Sequence, residues 1–174
     1  MITPELHAER LRGDWQEMRN IRGPYVDWEA DGTPPNTYIV TYRLRTYVSA
    51  TALRDSHRVL LTVPPFYPEA RPNIVMLDRP VVFHPNVFPD GRICVGDWRW
   101  DEGLGFLVLR VARLLLYFAP PTNPGSPANV AAAVWFRENR RHFPLERAIV
   151  LPDPFTGTTP ARRAAIVVCT GGSR

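Results

Sequence analysis

Apolar positions along the first twenty residues recur at helical spacing, with Leu11, Trp15 and Met18 on one side. Thr3-Pro4 supplies a capping hydroxyl followed by a proline at the first helical position, so the pattern predicts a helix over about 4–20 that stops at Gly23-Pro24. The period then shortens. Tyr25 to Ala30, Tyr38 to Arg45 and Arg58 to Val63 are β-rich segments separated by turn signals such as Asp31-Gly32-Thr33-Pro34-Pro35, which predicts an antiparallel meander. Val63-Pro64-Pro65-Phe66-Tyr67-Pro68 holds too much proline for a central strand, and Asn73 to Leu77 reads as a short edge strand before Asp78-Arg79-Pro80.

An irregular stretch, 80–103, follows. From 104 to 118 apolar residues fall at 104, 107, 108, 111, 114, 115 and 118, and Leu109 and Leu116 make the other side apolar too, as expected of a buried central helix. Pro120-Pro121 is expected to end it, Ser126-Pro127 to cap the next, and Ala128 to about His142 to form a last helix that packs through Trp135 and Phe136. Beyond Pro144 the breakers Pro152, Pro154, Gly157 and Pro160 predict a loop or partly disordered tail with one apolar patch at 164–168. Helix, strands and helices in that order give an α+β fold with helices on one side of an antiparallel sheet, divided into a domain over 1–145 and an irregular tail over 146–174.

Composition narrows the function. With 45% hydrophobic and 22% charged residues the chain is an ordinary globular one. Its two cysteines, Cys94 and Cys169, belong to no CxxC or Cys/His cluster, so neither a disulfide framework nor a zinc site is expected, and a reducing compartment is. No stretch is long and apolar enough to span a bilayer, and Met1-Ile2-Thr3-Pro4-Glu5 lacks the order of a signal peptide, so the expected location is cytoplasmic, away from membranes. The net charge of +4 comes from arginines scattered through the chain, without the run or aromatic interleaving of a nucleic-acid surface. All 21 basic residues are arginine, which is the codon usage of a GC-rich bacterial genome.

Cys94, in the irregular stretch after the turn dipeptide Asp90-Gly91, is the best nucleophile candidate because thiolate is the strongest side-chain nucleophile near neutral pH. A lone cysteine is more often a small buried hydrophobe. Its neighbourhood changes that balance: in His84-Pro85-Asn86-Val87-Phe88-Pro89-Asp90-Gly91-Arg92-Ile93-Cys94 the histidine and asparagine stand ten and eight positions before the cysteine. The string resembles the signature of the ubiquitin-conjugating enzymes: His-Pro-Asn, a glycine turn, then Ile-Cys or Leu-Cys. Tyr67-Pro68 through Arg71-Pro72 is similar to that family's Tyr-Pro-x-x-x-Pro loop, and Asn123-Pro124-Gly125-Ser126-Pro127 to its Asn-Pro-x-x-Pro entry to a later helix, over a resemblance covering about 4–143.

The resemblance implies a ubiquitin-conjugating (UBC-like) fold with a four-stranded meander, an N-terminal helix and two C-terminal helices. It further implies a transferase whose Cys94 takes a ubiquitin-like protein from an activating enzyme as a thioester and passes it to a target amine, with no metal or organic cofactor. Asn86 then supports the oxyanion or the loop, against the plainer reading of a turn-forming asparagine; His84 braces that loop, with general base as the lesser reading. Ser126 sits where the family places a gating residue, although Pro127 makes it equally a helix cap. Asp97 is either an attractor of the incoming ammonium or a solvated loop acid. Arg10, Arg12 and Arg19 would dock the activating enzyme or form a solvated face. The hydrophobic grips of a RING-type ligase are replaced by Glu69 and Asp101-Glu102-Gly103, so another ligase, or none, is implied.

Divergence and arginine usage together suggest a bacterial member from a conjugation operon, some of which are antiviral. Two rivals remain, a non-catalytic binding module of the same fold and a cysteine hydrolase. Gly171-Gly172 near the carboxyl end reads as flexible tail rather than a reactive ubiquitin-like terminus. The missing lysines also have a functional reading: a surface without them cannot be acylated by its own thioester. On that reading, lysines introduced around Cys94 yield a self-conjugate visible by mass, and a clean protein after loading removes its basis.

Overall fold

The computed structural model of the chain describes residues 3–118 and 125–159. Helix α1, Pro4–Asn20, begins where its local chemistry says it should, with the Thr3 hydroxyl accepting from the Leu6 amide at 3.3 Å and Pro4 in the first turn. The sheet is a plain meander of β1 (Val26–Gly32), β2 (Pro35–Tyr42), β5 (His57–Thr62) and β6 (Asn73–Met76), paired antiparallel in that order. A small hairpin, β3 (Thr46–Tyr47) with β4 (Leu53–Arg54), interrupts the crossing from β2 to β5 and was not expected from the sequence. Two residues per strand carry no readable alternation.

Alternation decides which face is covered. Tyr38, Val40 and Tyr42 on β2, Val59 and Leu61 on β5, and Ile74 and Met76 on β6 are buried, while the residues between them face outward or lie half-covered. Against this face lie α1 and α2 (Leu104–Leu115), and the latter is buried on most sides, as its apolar repeat requires. Trp28 of β1 closes one edge: its ring meets Trp15 and Tyr38 edge-on at 4.9 and 5.6 Å, and its indole N–H donates to the Met18 carbonyl at 2.7 Å.

The later boundaries differ from expectation for tertiary reasons. Helix α2 ends at Leu115 because Tyr117 turns left-handed (φ 59°), with its amide donating to Leu114 O at 2.9 Å and Phe118 N donating to Arg113 O at 3.0 Å. That is a Schellman closure with tyrosine in the place glycine usually takes. The tyrosine is held there by its hydroxyl, which donates to Phe83 O at 2.7 Å, and by the rings of Phe136 and Phe143. Pro120-Pro121, expected to stop this helix, lies outside the described residues, as do Asn123-Pro124, Cys169 and Gly171-Gly172. Helix α3, Val130–Glu138, is capped by Asn129, whose side chain accepts from Ala132 N at 3.0 Å, and not by Ser126; a 3-10 turn, Arg140–His142, follows it. Residues 143–159 are irregular yet attached. Ile149 is buried, the Asn20 amide donates to the Pro154 and Phe155 carbonyls, and the Phe155 ring meets Phe106 at 4.8 Å.

The contact between α1 and α2 is polar. Gly103 precedes α2 without a capping side chain, and the exposed amides are taken by carboxylates of the other helix: Asp14 Oδ1 accepts from Leu104 N at 3.0 Å and Glu17 Oε2 from Gly105 N at 3.1 Å. Glycine is needed for the approach at Gly105, where a Cβ would lie 2.8 Å from Glu17 Cβ and 3.2 Å from its backbone, while a Cβ at Gly103 would displace the Glu17 carboxylate. Burial, and then the charge of Asp14, push Glu17 up from 4.5 to about 7. The folded chain therefore keeps a proton that the unfolded chain has already lost between pH 4.5 and about 7, so the contribution of Glu17 to stability is full at the acidic end and lost as pH rises through 7. Glu17→Gln should raise the unfolding free energy, read from the urea midpoint at constant slope, by about 1 kcal/mol relative to wild type above about pH 7.5 once its partial exposure is allowed for, with the gain fading toward pH 5. A gain independent of pH would show that the carboxyl does not titrate as described.

Candidate active site

The cysteine segment is built as an irregular hairpin laid on the free edge of β6. Its turn is Asp90-Gly91, with Gly91 at φ 99° and its amide donating to Phe88 O at 2.9 Å, while Phe88 N donates to Arg92 O at 2.9 Å. Met76 N donates to Gly91 O at 2.8 Å and Ile93 N to Ile74 O at 3.1 Å, which joins the returning arm to the sheet. Pro85 and Pro89 cannot donate, so the arms pair through isolated bridges instead of a regular strand.

Within this hairpin Asn86 holds Cys94 by its main chain on both sides. Cys94 N donates to Asn86 O at 2.7 Å, and the Asn86 side-chain amide donates to Cys94 O at 2.9 Å. Asn86 is 1% exposed and Cys94 half-buried. The cysteine lines a cleft of about 180 Å³ with Arg71, Pro72, Asn73, Phe88 and Arg92. His84 is 1% exposed and accepts from Asn86 N through Nδ1 at 3.0 Å, so its proton sits on Nε2, which has no hydrogen-bond partner. Its ring lies 4.5 Å from that of Tyr117, and burial pushes it down to about 3. A histidine so enclosed stays neutral and braces the turn; it reaches no solvent from which to take a proton. Of the two roles open to it in the sequence, bracing has the geometry.

The other predicted positions separate. Ser126 is exposed and relieved of any capping duty by Asn129, while Asn129 N donates to Pro85 O at 3.2 Å and so ties the entry of α3 to the His84-Pro85-Asn86 tripeptide. Asp97 is exposed, and its carbonyl accepts from Arg110 at 3.0 Å. Arg10 is not part of an open basic face. It bonds Asp14, the Tyr67 hydroxyl and the carbonyls of Trp100 and Glu102, leaving Arg12 and Arg19 exposed. Arg110, which the apolar repeat of its helix gave no reason to single out, pins the loop after the cysteine through Val95 O, Asp97 O and the Glu102 carboxylate. Among the described residues no cluster of histidine, cysteine or acidic side chains could hold a metal, and no helix is long and apolar enough to cross a membrane.

Residues 54–148 match the family model described as "Ubiquitin-conjugating enzyme". The chain is 35% identical over 147 residues to "Ubiquitin-conjugating enzyme E2 1" of Caenorhabditis elegans, covering 82% of this chain and 71% of that one. It is 29% identical over 145 residues to "Ubiquitin-conjugating enzyme E2 2" of Kluyveromyces lactis, covering 82% and 84%. A viral relative, "Ubiquitin-conjugating enzyme E2" of African swine fever virus, is 34% identical over 100 residues, covering 48% and 44%. These relatives are eukaryotic and viral, so they lend no support to the bacterial source expected from arginine usage.

Asn86→Asp keeps the size of the side chain and sets an oxygen against the Cys94 carbonyl. It should lower the unfolding free energy by about 2 kcal/mol, read as a shift in urea midpoint at constant slope; an unshifted midpoint would show that the amide does not hold the loop.

Proposed function

The chain belongs to the ubiquitin-conjugating enzyme family, and we propose that it holds a ubiquitin-like protein as a thioester on Cys94 and transfers it to an amine of a target protein. The observation that carries this reading is the placement of Cys94: half-exposed at an open cleft, with its main chain clamped by Asn86. An acyl carrier needs a sulfur that a second protein can reach and a backbone that does not move when the acyl group arrives.

The chemistry runs in two exchanges. The Cys94 thiolate attacks the carbonyl of the activated carboxyl terminus, expels the thiolate of the activating enzyme and keeps the acyl group. An amine then attacks the same carbonyl carbon; the C–S bond breaks, Cys94 leaves as thiolate, and the amine gives up its proton as the amide forms. A free amine with pKa about 10.4 is mostly protonated at neutral pH, so orientation and partial desolvation in the cleft are the main contributions open to the protein. Asn86 serves as the brace, and its side-chain amide, bonded to the Cys94 carbonyl, is a donor that a shift of the loop would turn towards an oxyanion. Ser126 is proposed as the gate on the acceptor side, a reading supported by its exposure three residues before Asn129, whose amide bonds Pro85 O of the tripeptide. The antiviral setting is carried by no residue of the site.

Transfer is favoured over hydrolysis because three of the four histidines are enclosed or already hydrogen-bonded and so are not free to serve Cys94 as a base. His84 is enclosed and neutral, His7 bonds Tyr67 O, and His57 spends both ring nitrogens on Arg54. Incubated with ATP, an activating enzyme and its ubiquitin-like protein, wild type should gain a thiol-sensitive adduct by intact mass. Cys94→Ser should gain a thiol-resistant ester and Cys94→Ala nothing. No adduct on wild type alongside demonstrably active partners would put the non-catalytic binding module ahead.

A further inference from the structure

The cleft beside Cys94 has an electrostatic character that acyl transfer itself does not need. Arg71 and Arg92 both line it. Arg79 stands behind the turn, its guanidinium donating to Met76 O and Asp90 O, so three guanidinium groups gather on this edge. Two acids on this edge are already paired, Asp78 with Arg58 and Asp90 with Arg92 at 2.7 Å. Arg71 is exposed and makes no ion pair among the described residues. The Arg92 guanidinium stacks over the Phe88 ring at 4.8 Å and stays largely exposed, and both residues line the cleft. Phe88 and Pro72 give the cleft an apolar wall.

We infer that this cleft selects the acceptor: it binds a target segment in which an acidic side chain lies close to the lysine that receives the acyl group. The inference deepens the proposed transfer and rests on it. A carboxylate set between Arg71 and the solvent edge of Arg92 pairs the charge of Arg71, which has no ion pair among the described residues, while Arg92 keeps Asp90; Phe88 and Pro72 take the apolar part of the segment. The neighbouring lysine is thereby brought toward the thioester on Cys94, where its neutral amine attacks the carbonyl, the C–S bond breaks and the proton passes to solvent. Arg71 and Arg92 touch the segment and not the reacting atoms, so they set specificity. Exposed ion pairs are individually weak and salt-sensitive, so two of them amount to roughly a tenfold preference at low ionic strength that fades at high salt.

The test compares a short peptide with one central lysine flanked by glutamates with its glutamine counterpart as acceptors for the loaded enzyme. Each rate is divided by that variant's own discharge to hydroxylamine. Wild type should favour the glutamate peptide about tenfold at low salt, chiefly through KM. Arg71→Glu with Arg92→Glu should abolish or reverse that preference, toward a peptide with arginines in place of the glutamates. Equal rates on wild type, or a preference that survives both charge reversals, would overturn the inference while leaving thioester transfer intact. Binding of the same peptides to unloaded Cys94→Ser protein, followed by fluorescence anisotropy, separates the two claims. Selective binding lost on Arg71→Glu, in a protein that never loads, would overturn the transfer reading and keep the acidic-segment site. Absence of selective binding in a protein that does load would count against the site alone.

Discussion

Asp14 is 2% exposed, and its two oxygens are claimed by three parts of the chain: the Arg10 guanidinium on its own helix, the Tyr67 hydroxyl in the loop before β6, and the first amide of α2. A carboxylate taken out of water is tolerated only when its lone pairs are filled, and removing one partner leaves an uncompensated buried charge costing several kcal/mol. Burial and these bonds oppose each other here, with burial the stronger, and the group sits above its usual range. The helix, the loop and the second helix are therefore fixed as one unit. The segment carrying Cys94 is strung between two of these three anchors, since it leaves the β6 edge and runs into α2.

Everything downstream of the cysteine is held from this unit. Arg10 reaches past Asp14 to the carbonyls of Trp100 and Glu102, Arg110 reaches from α2 to those of Val95 and Asp97, and the Trp98 indole donates to Pro68 O at 2.6 Å. An irregular loop has no ladder to satisfy its carbonyls, and long arginine side chains supply the missing donors. Upstream the same work is done by a shorter device, the Asn86 amide on Cys94 O and the His84 ring on Asn86 N. Cys94 is thus the hinge between two bracing systems, one of arginines and one of an amide and an imidazole, and the residue lines the cleft between them and solvent.

The aromatic cluster under the tripeptide completes the support. Tyr117, Phe136 and Phe143 pack together with Tyr47 and Trp135, joining the end of α2, helix α3, the small hairpin and the His84 ring. A tyrosine in left-handed backbone is costly in isolation. It persists because the rings around it and the bond to Phe83 O would all be lost if it relaxed. The position of α3 beside Pro85 follows from that cluster, and with it the position of Ser126.

Helix α1, the alternation of the main strands and the apolar repeat of α2 were written in the sequence, because a cap, a period of two and a period of 3.6 are each properties of neighbours in the chain. The order His84, Asn86, Cys94 was legible for the same reason. The tertiary structure alone decided that Arg10 turns inward, that Asp14 and Glu17 cap a helix other than their own, that α2 closes at Tyr117 and that α3 starts at Asn129. Each is a polar or strained group whose state depends on what covers it, and the covering atoms come from far along the chain: Tyr67 lies 53 residues from Asp14, and Leu104 lies 90. Burial is a property of the packed whole, so no window of sequence contains it.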